Sequence, residues 1–255
     1  MLLRRFISNF RKQEWAAILV EFVIVVGGVF IGLQAANWND DRLEQEKGRL
    51  IAERLISDLR NDLESRRTLV RYYQAVFESA ERTVTRLNAK SAANPSAFII
   101  DAYRATEYAH RPPTRAAYDE IISSGSMGLI PADAQQAGII QYFRYDNSLA
   151  MREAVRASPY RIRVRRLLPY DVQVAIRAGC SDLYNEKFEI IGFDENCELG
   201  LPAGRLEHAA AALQSDPELL RDLRLHLSVL NATFPNFRGE VVNLEATIEA
   251  LEAAR

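Results

Sequence analysis

Trp15-Ala-Ala-Ile-Leu-Val-Glu-Phe-Val-Ile-Val-Val-Gly-Gly-Val-Phe-Ile-Gly-Leu-Gln-Ala-Ala-Asn-Trp38 is the stretch from which the rest of the chain takes its bearings. From Trp15 to Ala36 only Glu21 and Gln34 are strongly polar, and a helix crossing a bilayer core of roughly 30 Å needs about 20 apolar residues. The composition predicts one transmembrane helix over 15–38. Arg4, Arg5, Arg11 and Lys12 precede it, while Asn37, Asn39, Asp40 and Asp41 follow. The excess of positive charge therefore places a basic stub, residues 1–14, in the cytoplasm and residues 39–255 beyond it. Trp15 and Trp38 fall at the headgroup levels that amphipathic rings favour. A secretory signal is the competing reading, but the apolar run is too long and no small-x-small cleavage site follows. Arg4-Arg5 belongs to an incomplete twin-arginine motif.

At about 100° per residue, Glu21, Val25, Gly28 and Gly32 share one line along this helix, with Ala17 and Ala36 at its margins. Lipid gives helices no hydrophobic reason to associate, so small residues that admit a second backbone mark a contact face. The face predicts self-association or docking on another membrane protein; the plainer account is that glycine is common in membrane helices. Glu21 weighs toward the contact, because a charged carboxyl facing lipid costs roughly 2.5 kcal/mol or more. It must be protonated, paired across an interface or turned toward the headgroups. A proton path would need a second titratable group in the span, and the sequence has none.

Glu21-Phe-Val-Ile-Val-Val-Gly-Gly-Val-Phe-Ile-Gly-Leu-Gln-Ala-Ala-Asn-Trp-Asn-Asp40 also resembles the anchor of a widespread family of bacterial single-span membrane proteins of unknown function. In that family an acidic residue opens a Val/Ile-rich span ending in Asn-Trp-Asn and an acid. A second similar segment is Arg115-Ala-Ala-Tyr-Asp-Glu-Ile-Ile-Ser-Ser-Gly-Ser-Met-Gly-Leu-Ile130, followed by a helix through Tyr142-Phe143. Gly27 stands where the family has a bulkier residue. The resemblance implies an inner-membrane location and a periplasmic body; it implies no activity.

The body is expected to be an all-α bundle. From Asp40 to Lys90 there is no proline, and Ala52, Ile56, Leu59, Leu63, Arg66, Val70, Tyr73, Phe77, Ala80, Val84 and Leu87 step by three and four. That is the repeat of a packed helix, broken only by Arg66. It predicts one rod continuing the span, roughly 110 Å long if unbroken at about 1.5 Å per residue. A turn at 91–96 should lead to a short helix over 97–109, ended by Pro112-Pro113. Thr114 should cap a helix carrying Ala117, Ile121 and Ile122, and Ser123 to Gly128 should form a tight loop. A third long helix is expected from Ala132 to Ala157. The last runs through Leu220, Leu223, Leu227, Leu230, Phe234, Phe237, Val241, Leu244, Ile248 and Leu251. Asp216-Pro217-Glu218 would open it, and Pro235 would kink or break it near Thr233. The relative direction of the helices is left open.

Two cysteines, Cys180 and Cys197, bound a segment that can hold a small hairpin. On the oxidising side of the membrane they are expected to form a disulfide, the alternative being two buried thiols. Arg161, Arg163, Arg165 and Arg166, with Arg152 and Arg156 upstream, scatter around a helix axis. They would contact anionic headgroups or an acidic ligand, or pair with the chain's own acids.

Catalysis finds little support. His110, His208 and His226 stand far apart, without an H-E-x-x-H or di-iron pattern, and no serine sits in a G-x-S-x-G elbow. Tyr72-Tyr73, Tyr142-Phe143 and Tyr145 read as core. No cofactor or metal is expected, and a net charge of -2 offers nothing to nucleic acid. The sequence thus supports a non-enzymatic interaction or scaffold protein in an inner-membrane assembly, with the bilayer and itself or another membrane protein as partners. The alternative is an extracytoplasmic small-molecule sensor. A polar cavity near Arg66 and the 123–128 loop would favour sensing; the short cytoplasmic stub, with no room for an output domain, would require a partner to carry the signal.

Overall fold

The structure, a computed structural model, describes residues 15–89, 93–186 and 188–254. The basic stub at 1–14 lies outside the described residues, as does part of the turn expected at 91–96 and the side chain of Ala17. Helices dominate, and the chain divides into two compact units, Met1–Glu53 and Arg54–Arg255. Helix α1 (Trp15–Ala89) contributes residues to both.

In the first unit the apolar side chains of α1 between Leu19 and Leu33 face outward: Phe22, Ile24, Phe30 and Ile31 are all more than half exposed. Among the described residues this is the one helix long and apolar enough to cross a membrane.

In the second unit α1 supplies the wall on which the other helices pack. Its buried side chains include Leu55, Leu59, Asp62, Arg66, Leu69, Tyr73, Val76 and Ala80. The stripe is wider than the expected one, because it also takes in the line through 55, 62, 69 and 76. Helix α2 (Pro95–Arg104) starts where Asn94 accepts from the Ala97 N–H at 3.0 Å and Pro95 fits the first turn. It ends five residues before the expected point, as the chain extends toward Pro112-Pro113. Thr114 does not cap helix α3 (Ala116–Ser123), since its hydroxyl is bound to Asp62.

The single helix expected over 132–157 is three pieces: α4 (Ala132–Gln136), α5 (Ile139–Arg144) and α6 (Asn147–Arg156). Gly138 takes φ +105°, which a left-handed turn requires and an L side chain resists. Asp146 accepts from the Leu149 N–H at 2.9 Å and so starts a new helix rather than prolonging the old one. Pro159 opens α7 (Pro159–Leu167), and Pro169 precedes α8 (Tyr170–Gly179). A two-stranded antiparallel hairpin follows, β1 (Asp182–Tyr184) and β2 (Ile190–Phe193), with Asp182 opposite Phe193 and a bulge after Leu183. Helices α9 (Ala203–Ser215) and α10 (Leu219–Ala253) complete the chain.

α10 begins after the expected Asp216-Pro217-Glu218 cap, Asp216 being occupied with the Glu218 N–H at 3.0 Å. It continues through Pro235 without a break. The helix runs antiparallel to α1: Arg60 pairs with Glu252 at 2.5 Å, Arg67 with Glu245 at 2.7 Å, and Arg238 reaches Gln74 at 3.3 Å. Each step of seven along α1 meets a step of seven back along α10, the register of a heptad seam. Stacked rings of Tyr73 and Phe237, 5.3 Å apart, fill its middle. A second apolar cluster joins Ala80 of α1 to Phe98 and Ile99 of α2, Tyr160 of α7, Ile176 of α8 and Leu223 of α10.

Cys180 and Cys197 lie at disulfide-bonding distance, with Sγ atoms 2.21 Å apart and Cα atoms 5.1 Å apart. The junction is close: a Cβ on Gly179 would lie 2.8 Å from the Glu198 carbonyl oxygen, so only glycine fits there.

Candidate functional site

The one polar exception in the α1 repeat lies at the centre of the buried polar groups. Arg66 is 1% exposed, and Asp62, one turn earlier, is 4% exposed. Arg66 Nη1 donates to the Arg111 carbonyl at 2.7 Å, and Nε lies 2.8 Å from Glu240 Oε2. By distance the latter is an ion pair, yet the N–H is not aimed at that oxygen; neither atom has a well-directed hydrogen bond, nor does Arg66 Nη2. Glu240 Oε1 accepts from Asn147 Nδ2 at 2.7 Å. Asp62 accepts from the Thr114 N–H at 2.9 Å, the Thr114 hydroxyl at 2.7 Å and the Tyr142 hydroxyl at 2.7 Å.

Burial raises the Glu240 carboxyl above its usual range, against the opposing pull of Arg66 and Asn147. It also raises the Tyr142 phenol and lowers the Arg111 guanidinium. At Asp146 burial works upward, but hydrogen bonds from His110, the Leu149 N–H and Ser148 win and hold the carboxyl low. His110 Nε2 sits 2.9 Å from Asp146 Oδ2. Low-dielectric surroundings make such a cluster strong when complete and costly when one member is removed.

Beside it opens a cleft of about 680 Å³. One wall is a single polar face of α1, Asn61, Glu64, Ser65 and Thr68, spaced at one helical neighbourhood. The floor is the 109–114 segment with His110 and Arg111; the far wall is the hairpin, with Tyr184, Phe188 and Glu189. Arg111 spans the cleft, donating from Nη1 to Ser65 Oγ at 3.2 Å and from Nη2 to the Ile190 carbonyl at 2.5 Å. Phe188 is 88% exposed and holds φ +59°, the only positive φ on a non-glycine among the described residues. The Ser123–Gly128 loop does not line this cleft.

The other residues singled out in the sequence lie elsewhere. Glu21, Val25, Gly28, Gly32 and Ala36 are exposed on α1, and nothing stands within 4 Å of a Cβ built on Gly28 or Gly32. Arg161 donates to the Thr106 carbonyl and covers the Tyr108 ring. Arg163 pairs with Asp222 at 2.6 Å and Asp216 at 3.5 Å, and Arg165 with Glu107 at 2.5 Å. Arg166 is exposed. A second cavity, about 660 Å³, has Asp101 on its wall, and that carboxylate already accepts from Arg82 at 2.8 Å and from Arg86. Among the described residues no three His, Cys, Asp or Glu side chains converge to hold a metal ion.

Sequence reasoning found Arg66 and missed Asp62, Tyr142 and Glu240 as its neighbours. The available signal was the pair Asp62/Arg66, four apart on one helix face; Glu240 was masked by Val241 in the apolar repeat of α10. No protein-family model, curated protein or solved structure matches this chain.

Proposed function

We propose that this is a membrane-anchored interaction protein, a subunit of a bacterial inner-membrane assembly. On this reading the 15–38 span holds it in the bilayer, the helical bundle stands in the periplasm, and the Gly28–Gly32 face meets a second copy. The observation that carries the proposal is the continuous apolar run from Phe22 to Leu33, its large side chains exposed, with nothing within 4 Å of a Cβ built on either glycine. Such a surface is a liability in water and a solvent match in lipid. Resemblance of the span to the anchors of single-span bacterial proteins supports the same location. The proposed role is non-catalytic and needs no cofactor.

Chemical crosslinking in native membranes tests it. Wild-type chain is expected to give an oligomer band that Gly28→Leu and Gly32→Leu abolish, because a branched side chain holds the backbones apart. Unchanged bands in both variants would remove the interface.

A second reading, ligand sensing by the periplasmic bundle through a partner, is favoured by one feature: the polar cleft beside the buried Arg66 cluster.

A further inference from the structure

From the chemistry of the cleft between α1, the 109–114 segment and the hairpin, we propose that it binds a neutral saccharide. This rests on the ligand-binding reading and gives it a substrate class. The cleft has the dimensions of a ligand site, and its polar face from Asn61 to Thr68 extends about 10 Å at 1.5 Å per residue.

Charge decides first. The walls carry Asp62, Glu64 and Glu189 against Arg111, yet each charge is already answered. Asp62 accepts three hydrogen bonds from Thr114 and Tyr142. Glu64 pairs with Arg67 at 2.5 Å, and Glu189 accepts from Asn185 Nδ2 at 2.7 Å with Arg111 at 3.9 Å. The Arg111 guanidinium is bound to Ser65 and the Ile190 carbonyl. Among the described residues lining the cleft an anion would find no unpaired cation, and a polyamine would have to break existing pairs.

What the cleft presents instead is short-range donors and acceptors. The Asn61 carboxamide forms no hydrogen bond to another described residue, and the Ser65 and Thr68 hydroxyls serve as acceptors to arginines, leaving their protons to donate. Carboxamides and hydroxyls suit vicinal hydroxyl groups, each of which both donates and accepts. Opposite them stand the rings of Tyr184 and Phe188, more than half exposed, offering apolar faces to the C–H side of a sugar ring. Phe188 holds its ring there in a left-handed backbone conformation that a bulky side chain avoids.

The test is calorimetric titration of the full chain in a polyoxyethylene detergent, which carries no sugar headgroup. Four probes are used: neutral tetrasaccharides of glucose and of N-acetylglucosamine, a sulfated tetrasaccharide, and spermidine. A neutral tetrasaccharide should bind, and affinity should fall about tenfold or more in Asn61→Ala/Thr68→Ala and in Phe188→Gly, the loss expected for one stacked or hydrogen-bonded contact. Phe188→Gly should meanwhile raise Tm, separating loss of binding from loss of fold. Binding of spermidine or the sulfated sugar alone would overturn the saccharide while leaving a ligand cleft. Absence of heat with all four probes at millimolar concentration would overturn both readings, and neutral-sugar binding unchanged in the variants would overturn this location.

Discussion

Arg66 and Glu240 form a buried pair whose value lies in its completeness. Two charges taken out of water repay their desolvation only while both remain, and removing one leaves the other stranded. Arg66→Met is therefore expected to destabilise the second unit by about 3–5 kcal/mol, with Glu240→Leu added to it recovering most of the loss. Urea unfolding followed by circular dichroism measures both; a single variant as stable as wild type would show that the pair is not holding the helices. His226 poses the opposite case, a neutral group kept from charging. It is 2% exposed, bound to the Ala105 carbonyl at 2.8 Å, and burial depresses its pKa to about 4. Below about pH 6.5 the unfolded chain takes up a proton that the folded one refuses until about pH 4. Stability should thus be full above pH 6.5 and fall through that window, by on the order of 3 kcal/mol in total. In His226→Gln this component of the slope should vanish; identical pH profiles for the two proteins would refute the assignment.

At the scale of elements, the hairpin is a short two-stranded piece in a helical setting, and such a piece is marginal by itself. Three ties hold it. Tyr72 of α1 donates to Asp182 at 3.0 Å and stacks on Phe193 at 4.7 Å, Arg111 holds the Ile190 carbonyl, and Cys180–Cys197 closes the segment at its base. In the chain-entropy model, closing a loop of this size contributes roughly 3 kcal/mol. Cys180 is 2% exposed and Cys197 half-buried, so attack on the accessible sulfur would expel a thiolate into apolar surroundings. Native protein should accordingly resist both a maleimide label and mild dithiothreitol, and accept two labels after reduction in urea. Immediate labelling without reductant would show free thiols. Disturbing this base should loosen the hairpin wall of the cleft as well.

For the whole molecule, apolar periodicity revealed the two long helices and their pairing partners, because a helix in a heptad seam repeats its burial over many turns. Its direction was not legible there, because only the folded register shows that Arg60 meets Glu252 and Arg67 meets Glu245. What periodicity could not deliver was local. Gly138 and Asp146 cut the 132–157 segment through one backbone torsion and one cap, signals a few atoms wide beneath an uninterrupted apolar pattern. Likewise the cleft is assembled from α1, a proline-bounded loop and a hairpin far apart along the chain, and only Arg66 announced it. The antiparallel seam also bears on how the protein is made. Its polar contacts join residues 164, 178 and 192 positions apart, and non-local closure of that kind is slow. A nascent chain emerging amino end first must hold the long stripe of α1 open, with Arg66 uncompensated, until its final helix arrives, and that interval is when a chaperone would have most to protect.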